Sequence, residues 1–207
     1  MFPLVYFVRH GQTDWNAELR FQGQVEIDIN DTGRAQARAN GKTLARLIDD
    51  PSGFDFVASP LRRTRETMEL VRAEMGLPAA GYRTDSRLVE VHFGDWQGYT
   101  IEEIETARPG AEAERNRDKW EFLPPGPDAE SYADLADRVR GWLDEVKGPS
   151  VCVTHGGVIR AVFLIAGLLD DGKTYKLPGE IDMSAIREGI DIVIAYDVVN
   201  GTNLITD

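Results

Sequence analysis

Residues 3–11 read PLVYFVRHG, an apolar run that ends in an arginine, a histidine and a glycine. An unbroken apolar run of this kind is typical of a strand that is buried on both faces of a sheet. Two later stretches, FDFVAS at 54–59 and VCVTHGG at 151–157, repeat the pattern, and the second also ends in histidine and glycine. The three stretches predict buried strands, with His10 and His155 at the carboxyl ends of two of them.

Helix signals separate these strands. Polar capping residues stand where helices would begin, and glycine or proline stands where they would end. The predicted elements are helices from Asn30 or Thr32 to about Asp49, from Ser59-Pro60 to Gly76, from Ser131 to Gly148-Pro149 and over 158–168, and a late strand at 192–199. Strands that alternate with helices predict an α/β fold with three layers, α/β/α, and a mostly parallel central sheet. In such folds ligands bind beyond the carboxyl ends of the strands.

The length of 207 residues favours a single domain over the whole chain, 1–207. Within it, residues 100–122 have helical character that is broken at Pro109-Gly110, and PPGP at 124–127 indicates a linker or hinge. We therefore expect a lid or insert segment at about 99–130.

Composition argues against several classes of protein. The net charge of −12 disfavours nucleic acid as a general partner, because a polyanion requires a basic surface. The single cysteine leaves no intrachain disulfide, and the first apolar run has no basic leader, so we expect a cytoplasmic location. No apolar stretch approaches the roughly 20 residues that cross a bilayer, so we expect no membrane partner.

The neighbours of His10 favour an anion site over a metal site. Two histidines and a carboxylate would suffice for a divalent ion. However, Arg9 is adjacent to His10, and Arg62 stands at the start of the helix after the second strand. Permanent cations repel a metal ion and match phosphate oxygens, and a helix N-terminus adds N–H donors. Residues 1–65 also hold nine basic and eight acidic side chains, whereas residues 99–147 hold seven and thirteen. The pattern predicts a phosphate site and no metal.

Four motifs, in order along the chain, resemble the histidine phosphatase superfamily in its phosphoglycerate mutase-like branch. They are RHGQTDWN (9–16), SPLRRTRET (59–67), LVEVHFGDWQG (88–98) and THGGVIR (154–160). The resemblance implies a phosphoglycerate mutase-like fold and a reaction in which a neutral histidine takes a phosphoryl group onto its imidazole ring. The catalytic residues that it implies are His10 as nucleophile, Arg9, Arg62 and His155 around the phosphoryl group, and Glu90 as general acid and base.

The family pattern also implies residues that line the phosphate or substrate pocket. These are Thr13, Asn16, Gln22, Gly23 and Gly156. By spacing alone Glu90 would be a solvated loop carboxylate, and only the resemblance gives it a catalytic role. Arg63 and Arg65 are expected on the solvated surface or in ion pairs. On a helix, positions 62 and 65 share one face and position 63 points elsewhere. The chain departs from the family at VEIDIN (25–30), where Asp-x-Pro-Leu is common, and in the longer segment PPGPDAES.

The resemblance leaves the acceptor of the phosphoryl group open. Transfer to water makes a phosphatase, whereas transfer to a phosphoglycerate makes a mutase that depends on 2,3-bisphosphoglycerate. The chain is compact between FGDWQG and PPGP, which favours a metal-independent phosphatase of a small phosphorylated metabolite, without a cofactor. A catalytically idle phosphate-binding or scaffold protein is disfavoured, because His10, Arg62, Glu90 and His155 are all present. A homodimer is left open.

Overall fold

The computed structural model describes residues 2–165 and 190–195 of the chain. Five strands and seven α-helices lie in these ranges. In chain order they are β1 (Phe2–Arg9), α1 (Asp14–Ala17), α2 (Asp31–Leu47), β2 (Asp55–Ala58), α3 (Arg62–Glu74), β3 (Arg83–Thr84), α4 (Ile101–Ala107), α5 (Ala111–Arg117), α6 (Tyr132–Leu143), β4 (Ser150–Thr154), α7 (Gly156–Ile165) and β5 (Ile190–Ala195). Short 3-10 turns occupy Pro51–Gly53, Ser86–Leu88 and Gly94–Trp96. Among the described helices, none is long and apolar enough to cross a membrane.

The strands form one sheet in the order β3-β2-β4-β1-β5, and every pairing within it is parallel. Successive side chains of a strand point to opposite faces of the sheet. Val5 and Phe7 of β1 accordingly pack on one face, and Tyr6 and Val8 pack on the other. Because both faces are covered, β1 has to be apolar at every position of its centre, as the run PLVYFV is.

Two apolar clusters, one on each face of the sheet, form the core. The first joins the sheet to α6 and α7 through Leu135, Val139, Trp142, Val158 and Val162. The second joins it to α2 and α3 through Leu44, Met68 and Val71. Burial of one such side chain stabilises the fold by roughly 1.5–3 kcal/mol. The predicted three-layer α/β/α architecture with a mostly parallel sheet is confirmed.

The starts of α2 and α6 agree with the capping signals, but the start of α3 does not. The predicted end of α6 at Gly148-Pro149 is also wrong, because the helix ends at Leu143 with Asp144 as its C-cap. Asn30 caps α2 and Ser131 caps α6. The prediction that Ser59 caps the next helix is wrong, because α3 begins after Leu61, which makes no side-chain cap. Ser59 instead extends the sheet, since its N–H donates to the Val153 carbonyl at 3.0 Å. The helix predicted over 158–168 and the late strand over 192–199 end outside the described residues.

The segment at 99–130 folds as α4 and α5, which are separated at Pro109-Gly110 as predicted. It covers a small apolar cluster that contains Trp96, Ile104, Ala111, Phe21, Phe93 and Phe122. The end of the segment is tied to the preceding loop, because the Asp95 N–H donates to the Pro125 carbonyl at 2.7 Å. Movement of this segment as a lid stays a prediction.

Candidate active site

Three adjacent strand ends bring the site together. In the sheet β4 lies between β2 and β1, and Ser59, His155 and His10 are the residues that directly follow these strands. The His10 N–H donates to the Thr154 carbonyl at 2.9 Å, which fixes the two histidine-bearing ends side by side. The ring centroids of His10 and His155 are 5.2 Å apart, with an angle of 61° between the planes.

Both imidazoles are buried and neutral. His10 is 6% exposed and His155 is 0% exposed. Burial lowers the pKa of His10 well below its usual value, and the positive charges of Arg63 and Arg9 lower it further. The pKa of His155 is lowered in the same way, first by burial and then by Arg63. A neutral imidazole is the form that can act as a nucleophile.

A hydrogen bond of His10 selects the tautomer of its ring. Nδ1 lies 2.8 Å from the carbonyl oxygen of Gly11. A carbonyl oxygen can only accept, so Nδ1 carries the ring proton. The lone pair of the neutral ring is therefore on Nε2, which is the nitrogen that can attack phosphorus.

His155 is hydrogen-bonded through Nε2, the ring nitrogen opposite to the one that His10 uses. Its Nε2 lies 2.8 Å from the hydroxyl oxygen of Ser59, and its buried Nδ1 has no hydrogen-bond partner among the residues that the structure describes. When the Ser59 hydroxyl donates to Nε2, the proton of the neutral ring is on Nδ1. Nδ1 is then a donor without a protein acceptor, which suits an oxygen of an anionic ligand.

Arg63 lies in the interior of the protein, contrary to the prediction from the sequence. The prediction of a solvated surface or ion-pair role for Arg63 is wrong, since the residue is 0% exposed and its guanidinium is bound to backbone carbonyls. Its Nη1 donates to the Val25 carbonyl at 2.7 Å, and its Nη2 donates to the Gly23 carbonyl at 2.6 Å. Burial lowers the pKa of Arg63 to about 10, so the guanidinium stays charged at neutral pH. Its Nε has no partner within the described part of the chain.

Arg62, the predicted phosphate ligand, points to solvent instead. Its side chain is 57% exposed, and its Nε lies 3.3 Å from a carboxylate oxygen of Asp28 and 3.8 Å from one of Glu26. Of the two adjacent arginines, Arg63 and not Arg62 has its charge beside the buried ring of His10. Arg65 is exposed, as predicted.

Helical periodicity explains why Arg63, and not Arg62, faces the interior of the protein. Residues four apart share one face of a helix, so Arg63 shares its face with Thr67 and Val71, both of which are buried. The Thr67 hydroxyl accepts from the Gly11 N–H at 3.0 Å and donates to the Arg63 carbonyl at 2.7 Å. Sequence reasoning missed Thr67 and the contact of Ser59 with His155. The four-residue spacing of 63, 67 and 71 was the signal that could have identified the inward face.

Glu90 lies in the site and not in solvent. One oxygen of its carboxylate accepts from the Gly157 N–H at 3.0 Å, and the other accepts from the Val91 N–H at 2.9 Å. Gly157 is two residues from His155, and a Cβ at Gly157 would overlap the Glu90 carboxylate. The Glu90 carboxylate therefore lies against the first turn of α7, which begins one residue after His155.

Arg9 and Gly156 also join the site. The Arg9 side chain packs against the N-terminus of α7, where its Nε would be 3.4 Å from a Cβ added to Gly156. The charge of Arg9 contributes to the lowered pKa of His10. The first turn of α7 thus contacts both Arg9 and Glu90, and its N–H groups are directed toward the same region.

The remaining predicted pocket residues lie in the loop after β1. Thr13 and Asn16 form the capping box that begins α1, with the Thr13 N–H donating to Asn16 Oδ1 at 3.0 Å. Thr13 therefore shapes the loop, as predicted. Gly23, at a φ of +54°, presents its carbonyl to Arg63, and a contact of its N–H with a ligand stays a prediction. Gln22 is buried, and its Oε1 has no partner among the described residues.

The arrangement combines two neutral imidazoles, two buried or half-buried arginines and one carboxylate. Guanidinium groups stabilise phosphate oxygens, and a carboxylate can exchange a proton with an alcohol or water. Over residues 2–165 and 190–195, no group of three or more His, Cys, Asp or Glu side chains is arranged to hold a metal ion.

Known relatives of the chain are phosphatases and mutases. Glucosyl-3-phosphoglycerate phosphatase of Mycolicibacterium vanbaalenii is 39% identical over 175 residues, which cover 78% of this chain and 72% of the relative. Metal-independent phosphoserine phosphatase of Arabidopsis thaliana is 34% identical, with coverage of 77% and 67%. 2,3-bisphosphoglycerate-dependent phosphoglycerate mutase of Methylobacterium radiotolerans is 32% identical, with coverage of 93% and 89%.

A solved structure has the same fold. It is that of mycobacterial glucosyl-3-phosphoglycerate phosphatase in complex with VO3, with a TM-score of 0.67 and 34% identity, covering 79% of this chain and 80% of that one. Residues 166–207 match the sequence model of a family of proteins of unknown function. Residues 5–179 match the model of the histidine phosphatase superfamily, branch 1, and the chain belongs to that family.

Proposed function

We propose that this chain, a phosphatase of the histidine phosphatase family, hydrolyses small phosphomonoesters through a phosphohistidine on His10. The observation that carries the proposal is the hydrogen bond from His10 Nδ1 to the Gly11 carbonyl at 2.8 Å. It leaves the lone pair of a buried, neutral ring on Nε2. Positive charge from Arg9 and Arg63 lies beside that ring.

In the first half-reaction, Nε2 of His10 attacks the phosphorus atom. A nitrogen–phosphorus bond forms while the bond from phosphorus to the alcohol oxygen breaks. Arg9, Arg63 and the Nδ1 of His155 stabilise the charge on the equatorial oxygens. Glu90 in its protonated form gives its proton to the departing alcohol, which then leaves as a neutral molecule.

In the second half-reaction, water takes the place of the alcohol. The Glu90 carboxylate accepts a proton from this water, and the water oxygen attacks phosphorus. The nitrogen–phosphorus bond breaks, and its electron pair returns to Nε2. Inorganic phosphate is released, and both His10 and Glu90 are back in their starting forms. No step needs a metal ion, so we propose that the reaction is metal-independent.

The names of the three relatives suggest the class of substrate. Glucosyl-3-phosphoglycerate, phosphoserine and phosphoglycerate are phosphate esters of small hydroxy acids or amino acids, so each carries a carboxylate as well as the phosphate. We therefore propose a phosphorylated hydroxy acid or amino acid as substrate of this chain, with residues 99–130 as the pocket wall. A single domain over 1–207, a cytoplasmic location and a homodimer stay predictions.

A mutase is the second candidate. The Methylobacterium radiotolerans mutase matches 93% of this chain, a longer match than those of the two phosphatases. Its reaction would use the same phosphohistidine but return the phosphoryl group to a phosphoglycerate, with 2,3-bisphosphoglycerate as cofactor. Release of inorganic phosphate distinguishes the two reactions.

The test is a phosphate-release assay over a panel of phosphorylated metabolites, run with a chelator and with or without 2,3-bisphosphoglycerate. We expect phosphate release that the chelator does not reduce. His10→Asn should abolish it, whereas the control His92→Asn, at the one histidine outside the pair, should retain most of it. Quenching in alkali, where phosphohistidine survives, should preserve a phosphoprotein in wild type and in His92→Asn but not in His10→Asn. Activity in His10→Asn, or isomerisation without phosphate release, would contradict the proposal.

A further inference from the structure

Arg138, on α6, holds the loop that carries Glu90. Its Nη1 donates to the carbonyls of Arg87 at 2.7 Å and Val89 at 2.8 Å, and its Nη2 donates to the carbonyl of Glu90 at 3.0 Å. Arg87 lies in the short 3-10 turn Ser86–Leu88, and Val89 and Glu90 follow it outside any helix or strand. Its carbonyls are therefore bound by a side chain from another layer of the fold.

Glu130 fixes the guanidinium of Arg138. Its two carboxylate oxygens accept from Nε at 2.9 Å and from Nη2 at 3.0 Å, which is the bidentate geometry of a strong arginine–carboxylate pair. Glu130 also accepts from Gln24 Nε2 at 3.2 Å and from the His92 N–H at 3.0 Å. Gln24 Nε2 in turn lies 3.0 Å from the Glu90 carbonyl.

This network joins the two sides of the site. Gln24 lies between Gly23 and Val25, whose carbonyls hold the guanidinium of Arg63. The loop that positions the phosphate-side arginine is thus hydrogen-bonded to the loop that positions Glu90. Arg138 and Glu130 are half-buried, with side chains 18% and 23% exposed, so solvent screens their interaction only in part.

We propose that Arg138, oriented by Glu130, is a positioning residue that sets the distance between Glu90 and the phosphoryl group on the leaving-group side. The proposal rests on the proposed role of Glu90 as general acid. Arg138 itself binds the loop carbonyls and Glu130, so we propose that it acts on the reaction only through Glu90. A misplacement of about 1 Å at a catalytic group can cost about a hundredfold in rate, which makes such a clamp consequential.

A dependence on the leaving group separates this role from a merely structural one. An aliphatic alcohol leaves poorly unless it is protonated, whereas p-nitrophenolate is a stable anion and leaves without a proton. If Arg138 acts through Glu90, its loss should reduce kcat/KM for glycerol phosphate far more than for p-nitrophenyl phosphate. A loss of folded enzyme would reduce both values by the same factor, so their ratio is independent of the folded fraction.

The experiment compares Arg138→Met and Arg138→Lys with wild type on the two substrates. We expect Arg138→Met to lower kcat/KM about a hundredfold for glycerol phosphate and less than about tenfold for p-nitrophenyl phosphate, within the range of general acid catalysis. Lysine lacks the planar fork, so Arg138→Lys should restore little. Glu130→Gln should change the ratio in the same direction. Arg140→Met, at an exposed arginine of the same helix, is the control and should leave both values unchanged.

A double variant completes the test. If Arg138 acts through Glu90, then Arg138→Met should add no further loss on glycerol phosphate once Glu90→Gln is present. Equal losses on both substrates, or multiplicative losses in the double variant, would overturn the proposal. If Glu90→Gln alone lowers kcat/KM equally for both substrates, Glu90 is not the general acid. This proposal then fails as well, because it rests on that role.

Discussion

Replacement of Arg63 by methionine tests the most consequential feature of the site. Methionine keeps much of the length and apolar stem of the arginine, but removes its charge and its N–H donors. The matched control is Arg62→Met, one position earlier on α3. The two residues differ in exposure, with Arg63 0% exposed and the Arg62 side chain 57% exposed.

The magnitude follows from burial. Loss of one preorganised donor to a developing anion costs about a hundredfold to a thousandfold in kcat, or about 3–4 kcal/mol, in a water-excluded site. Arg62 is screened by water and paired with Glu26 and Asp28, and exposed pairs of this kind contribute about 0–1 kcal/mol. We therefore expect a loss of at least about a hundredfold for Arg63→Met and of less than about fivefold for Arg62→Met.

The effect of Arg63→Met on stability should be smaller than its effect on rate. The carbonyls of Gly23 and Val25 lose their donors, which costs about 1–3 kcal/mol each when they stay buried. Removal of a buried charge offsets part of that cost. Thermal unfolding of both variants checks that the activity is measured on folded protein.

The assay is the pH dependence of kcat/KM with p-nitrophenyl phosphate, together with inhibition by vanadate. Among the charges that lower the pKa of His10, that of Arg63 has the largest effect, and only burial lowers the pKa more. Its removal should raise that pKa, so the variant should lose activity at a higher pH than wild type as the solution is acidified. Vanadate should bind more weakly to Arg63→Met and about equally to Arg62→Met. A large loss in Arg62→Met with near-normal Arg63→Met would refute this assignment.

Two further predictions concern the histidine pair and Glu90. Because the pKa of His10 is lowered in the folded state, the unfolded chain binds the proton first on acidification, so the free energy of unfolding falls as the pH drops below about 6.5. Urea titrations at several pH values measure how steeply the free energy of unfolding depends on pH. His10→Asn should reduce this slope by about 1 kcal/mol per pH unit. Equal slopes for wild type and His10→Asn would contradict a buried, neutral His10. In Gly157→Ala, the new Cβ would overlap the Glu90 carboxylate and displace it, so turnover should fall while the protein stays folded. Gly141→Ala, with no atom near the added Cβ, is its control, and equal activity of the two variants would argue against the contact.

Much of the fold could be predicted from the sequence because its signals are local. The unbroken apolar runs of β1 and β4 predict strands with both faces buried, and Asn30 and Ser131 predict helix starts. His10 and His155 could be placed at strand ends because each directly follows its run. These inferences need only the periodicity of side chains along one element.

Other features depend on residues far apart in the chain, and only the tertiary structure decided them. By spacing alone Glu90 was a loop carboxylate, and its place in the site follows from the hydrogen bond to Gly157, 67 residues away. The clamp on its loop needs Arg138 of another layer.

The two adjacent arginines show the same division most clearly. The sequence by itself determined that two adjacent guanidinium groups stand at the start of α3. Which of the two faces the histidine pair depends on the rotation of the helix against the sheet. Packing of Met68 and Val71 into the core sets that rotation, which turns Arg63 inward to the carbonyls of Gly23 and Val25 and leaves Arg62 in solvent.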